Sequence, residues 1–166
     1  MPSIIQVPLP ETAFLARYLN DAGAYTDCFT TDIEEPVDLE NFAIAFFDTW
    51  VFRLERKILA VTLRKPSSIA QVRALAAGAS DRLAAWHVVE RSADQLLLAV
   101  GDGPIRTWLM RANTATGTKL YFGSAILPSA KDRDGTPKMS LGFRALLGFH
   151  KLYARILLAA ARRSLS

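Results

Sequence analysis

Two histidines and one cysteine are the side chains best suited to do chemistry in this chain of 166 residues. His87 sits in WHVVER and His150 in GFHKLY, far apart and in no H-x-x-x-H or C-x-x-C spacing. That pattern predicts no metal site and calls for no cofactor. Cys28 stands alone, so no internal disulfide can form, which fits a reducing cytoplasm. GDGPIRT begins like a phosphate-binding loop, but Arg106 stands where a third glycine would be. The stretch also joins two hairpin-like strands, so it reads as a turn. No G-x-S-x-G elbow is present, and Ser124 lies inside an apparent strand.

Proton transfer is the chemistry left, through His87, His150 or Tyr153. Arg106 shares its strand parity with Trp108 and Met110, so a cation there would suit a ligand carboxylate or phosphate. Each residue also has a plain structural role open to it. A strand histidine is commonly a hydrogen-bonded structural group, an arginine stem can pack while its head reaches water, and Trp108, Tyr121 and Phe122 suit a core. No motif decides whether the chain is an enzyme.

These residues must be placed by a single domain, 1–166. Hydrophobic content of 51% against 22% charged is that of a globular chain. Residues 1–23 read as a loose lead-in without a signal-peptide pattern, with room for a short helix at TAFLARYLNDAG that stops at Gly23. AYTDCFTTDI alternates Tyr25, Asp27, Phe29 and Thr31 with Thr26, Cys28, Thr30 and Asp32, and predicts a strand over 24–33. Helices follow: one capped by Asp38, one with apolar residues from Phe47 to Val61, and one over 69–77 with the S-x-x-Q capping box of Ser68 and Gln71. After Ala84 the period changes to two. Strands are expected at 84–91, 95–101, 105–112 and 118–127, with links short enough for an antiparallel sheet. Residues 128–140 read as a flexible polar loop. The strand KLYFGSAIL is apolar on both parities, so its second face should meet the 38–63 helices or a second subunit. A homodimer is therefore expected.

The tail, LGFRALLGFHKLYARILLAAARRSLS, carries five of the basic residues and no acidic one. The first 140 residues are nearly balanced, with 15 basic and 16 acidic. At about 100° per residue, Arg144, Lys151, Arg155 and Arg162 fall on one narrow stripe. Leu146, Phe149, Tyr153 and Leu157 lie opposite. Cations recur too often for a spanning helix, which needs about 20 apolar residues. One narrow stripe does not make a nucleic-acid face, so no nucleic-acid partner is expected. A helix packed on a sheet, its stripe left in water, is the expected arrangement. Peripheral contact with an anionic membrane surface is the alternative that uses the same stripe.

The fold class that follows is α+β: a curved antiparallel sheet gripping a long C-terminal helix, with helices inserted after the first strand. That order resembles the helix-grip fold of the START and birch-pollen-allergen-like superfamily. YTDCF, FRLERKIL, RTWLM, KLYFGSAILP and GFHKLYARILL also resemble an uncharacterised bacterial domain-of-unknown-function family placed in that superfamily. None of these passages is a catalytic motif. Such folds have six or seven strands against the five counted here. The difference implies either two strands shortened into the 128–140 region or a smaller cavity. The resemblance implies a binder of a small, mainly apolar molecule between sheet and helix, bordered by His87, Arg106, Trp108, Phe122, Phe149, His150 and Tyr153. The alternatives are a cyclase, hydratase or lyase on the same scaffold, and an interaction protein using the basic helix.

Overall fold

The computed structural model describes residues 3–53, 68–128, 130–131, 134–135, 137–138 and 141–166, without the side chains of 130, 131, 137, 138 and 141–146. Its centre is a seven-stranded antiparallel sheet. In chain order the strands are β1 (Ile5–Gln6), β2 (Tyr25–Ile33), β3 (Arg82–Leu83), β4 (Trp86–Arg91), β5 (Gln95–Val100), β6 (Ile105–Thr114) and β7 (Gly117–Ile126). Across the sheet the order is β1-β2-β7-β6-β5-β4-β3. The first long strand thus pairs with the last, Tyr25 opposite Ile126 and Ile33 opposite Thr118. The five expected strands are all present. The two not foreseen, β1 and β3, are two-residue edge pieces and do not come from the 128–140 stretch. That stretch instead holds a separate small ribbon, β8 (Ala130–Lys131) paired with β9 (Pro137–Lys138). Two residues are too few to show an alternation, which is why the edge strands left no sequence signal.

Among the described residues, three helices are bounded at both ends: α1 (Leu39–Phe47), α2 (Ile69–Ala76) and α3 (Leu141–Leu165). Asp38 caps α1 by accepting from the Asn41 amide at 2.7 Å. Ser68 and Gln71 form the expected capping box on α2, and Gly78, at φ +76°, follows its end in the left-handed turn suited to glycine. Of the helix expected from Phe47 to Val61, residues 50–53 are helical, and the part from 54 onward lies outside the described residues.

The register divides the strand residues between two faces. Phe29, Leu109, Leu120 and Phe122 point toward the helices, where Phe42, Phe46, Phe47, Phe52 and Trp86 close an aromatic core. Phe46 and Phe122 lie 4.8 Å apart between ring centres, and Phe52 and Trp86 lie 5.0 Å apart. Such pairs add about 0.5–1.5 kcal/mol each to the effect of burial. The opposite face carries Cys28, Leu97, Trp108, Met110 and Ala125, packed under Ala13 and Leu15. Here the lead-in is a built element, a 3-10 helix over Phe14–Tyr18 laid across the sheet. It supplies the cover that was expected from a second subunit or from the 38–63 helices, so the doubly apolar β7 gives no reason for a dimer.

Candidate functional site

The register decides which candidate residues can meet. Arg106 pairs with Ala125, Trp108 with Gly123 and Met110 with Tyr121, all on the face covered by the 3-10 helix. Trp108 is fully buried, and its indole N–H donates to Gln95 Oε1 at 2.9 Å. The same oxygen accepts from the Phe14 amide, while Gln95 Nε2 donates to the Thr12 carbonyl. Trp108 is thus a clamp for the N-terminal segment and not part of a site under α3. Arg106 lies over the Tyr18 ring at 5.9 Å and donates to the Gly103 carbonyl at 2.7 Å. His87 is on β4, opposite Ala99 and beside edge strand β3, with three strands between it and β2. Parity against the helices was the undetermined quantity, and it sends these three residues to the far side of the sheet.

Two of the candidates, both on α3, face the helix side of the sheet. His150 Nε2 is 3.1 Å from Asp27 Oδ2, and Tyr153 packs against the helix-side core. Phe122 belongs to that core, while Phe149 points outward, 65% exposed. On the basic stripe, Arg155 lies over the Phe29 ring at 5.7 Å and Arg162 donates to the Asp32 carbonyl at 3.3 Å. Lys151 is half-buried. The side chain of Arg144 lies outside the described residues. The stripe therefore leans on the β2 edge instead of standing clear in water. Ala154, Leu157, Leu158 and Ala161 form the buried line of α3.

Asp27 organises the place where α3 crosses β2 and β7. Its side chain is 0% exposed. Burying a carboxylate costs several kcal/mol unless it is well paired, and here both oxygens are used. Oδ1 accepts from the Ser124 amide at 2.9 Å, and Oδ2 accepts from the Tyr25 hydroxyl at 3.0 Å and faces His150. Tyr25 and His150 meet edge to face at 6.0 Å between ring centres. Burial, then the Asp27 charge and hydrogen bond, raise the Tyr25 phenol well above its ordinary range, so it stays a donor. On the other face of β2, burial first and the Asp27 charge second push the Cys28 thiol up to about 12, so it is a packing group and not a nucleophile.

Close approach at this point depends on Gly123, opposite Cys28. A Cβ there would lie 2.8 Å from the Asp27 carbonyl oxygen and 2.9 Å from Leu15 Cδ2. The contact from Nε2 to Asp27 fixes the orientation of the His150 ring, as a carboxylate does for an imidazole that binds or moves a proton. His150 is itself 21% exposed at the side chain, so the pair links a sealed carboxylate to a partly open ring. Sequence reasoning missed Asp27, Tyr25 and Ser124. The available signal was the parity of β2, which puts an aspartate in line with Phe29 and Ile33. Among the described residues, no group of three His, Cys, Asp or Glu side chains is placed to hold a metal ion. No described helix is long and apolar enough to cross a membrane. Compared with known proteins, the chain matches no family model and no curated protein sequence.

Proposed function

We propose that the protein binds a small, mainly apolar molecule with one polar end, held where α3 crosses β2 and β7. The polar end is read by His150, which Asp27 orients, with the Tyr25 hydroxyl held by the same carboxylate. The single observation that carries this reading is the wholly buried Asp27 side chain with His150 at 3.1 Å, the ring of which is partly open. A buried carboxylate that orients a partly open imidazole suits the recognition of a polar group. The aromatic core under α1 is occupied by its own rings, so the ligand belongs at the α3 crossing and not beneath α1.

Native mass spectrometry of protein purified from its own host, set against the denatured mass, tests this. An excess mass that disappears on denaturation, and is lost in His150→Gln, is expected. An excess equally present in His150→Gln would place the ligand elsewhere, and a clean mass in the wild type would remove the binder reading. The Asp27–His150 pair favours one second reading, a lyase- or hydratase-type enzyme using His150 as the base. Under that reading His150→Gln carries an excess of changed mass, the compound it no longer converts.

A further inference from the structure

The outward face of α3 is not the face its pattern suggests. Phe149 is 65% exposed, Leu152 56% and Ile156 39%, three large apolar side chains within two turns. Phe149, Ile156 and Arg163 follow at intervals of seven residues, so they share one line, and Arg163 is exposed. Lys151 and Arg155 run along the flank between this row and the β2 edge. The helix has no acidic residue from 141 to 165.

We infer that this face docks on an anionic phospholipid bilayer, with the apolar row entering the headgroup boundary and Lys151, Arg155 and Arg163 meeting lipid phosphates. An interfacial helix needs an apolar row, cations beside it and no uninterrupted apolar span able to cross a bilayer, and α3 has all three. A second copy of the chain fits less well. A stable protein interface uses about 20–30 residues a side, and a two-fold pairing of α3 would set its cations against their own copies. Nucleic acid would use the cations and leave the row in water. This inference stands apart from the ligand site: its apolar row, Phe149, Leu152 and Ile156, lies on the outward side of α3.

The test is sedimentation with vesicles of phosphatidylcholine alone or phosphatidylcholine mixed with phosphatidylglycerol. The wild type should bind the anionic vesicles only, and less as salt is raised. Combining Lys151→Gln, Arg155→Gln and Arg163→Gln should weaken binding by roughly a factor of five per cation. Combining Phe149→Ser, Leu152→Ser and Ile156→Ser should weaken it by about tenfold or more. Val89→Ser, an exposed site on β4 far across the sheet, should bind as the wild type does. Thermal melts verify folding, and Phe149→Ser alone serves if the triple serine variant does not fold. Wild-type protein that ignores anionic vesicles would overturn the inference, as would a serine variant that binds undiminished. Light scattering that shows a dimer turned to monomer by the serine changes, without vesicle binding, would assign the face to a second copy.

Discussion

Asp27 carries a charge into a place no water reaches, and its three partners come from β2, β7 and α3. Asp27→Asn should lower stability by about 1–3 kcal/mol, the cost of leaving buried partners poorly matched, read from a urea midpoint. Combined with His150→Gln, the loss should fall short of the sum by roughly 0.5–3 kcal/mol, because the two share one contact. Alkaline pH offers a second reading of the same neighbourhood. The Cys28 proton leaves the unfolded chain near 9.0 but is held to about 12 in the native one, so the folded state binds more protons in between. Its contribution to stability is therefore complete below pH 9 and lost as pH rises toward 12. Tyr25 acts in the same direction from about pH 10 upward. The melting temperature should fall above pH 9, and less steeply in Cys28→Ala. From the residues alone, His150 and Tyr153 could be chosen as candidates because a helix histidine near aromatics is visible as such. Asp27 was legible only through its parity with Phe29 and Ile33, and its role stays hidden until the partner on α3 is known.

At the scale of elements, local chemistry was the most legible part. The caps at Asp38 and Ser68 and the turn at Gly78 follow from a few neighbouring residues, and the long strands follow from alternation. Ser68→Ala should cost about 0.5–2 kcal/mol through α2, measurable by thermal denaturation. What alternation withholds is which face meets which helix, since both readings of a doubly apolar strand satisfy it. That is why Arg106 and Trp108 were grouped with His150 although a sheet separates them. Gly123 marks a tight point between β2, β7 and the 3-10 helix. Gly123→Ala must push against the β2 backbone and Leu15, and should destabilise by about 1–3 kcal/mol, seen as a lower urea midpoint with an unchanged slope. The rotation of α3 was likewise hidden. Its apolar arc is wider than the sheet can cover, so small residues, Ala154 and Ala161, take the close contact while Phe149 and Leu152 are left outside.

For the whole molecule, the sheet is covered on one face by helices and on the other by its own N-terminal segment. The order of elements, and that helices cover one face of the sheet, could be read in advance. The cover on the second face could not, because residues 1–23 have too little periodicity to declare a partner. Removal of residues 1–18 should expose Trp108, Leu97 and Met110 together, and the shortened protein should bind a hydrophobic dye and aggregate on mild warming. The full chain should do neither. The contact between Asp27 and His150 joins residues 123 positions apart. During synthesis, β2 emerges with a carboxylate destined for burial and nothing yet made to neutralise it. Until residue 150 has been added, the β2–β7 pair cannot be sealed without an unmatched charge beneath α3's place. A growing chain is thus discouraged from closing early, and the same pair that orients the candidate site acts as a signal that nearly all of the domain has been made.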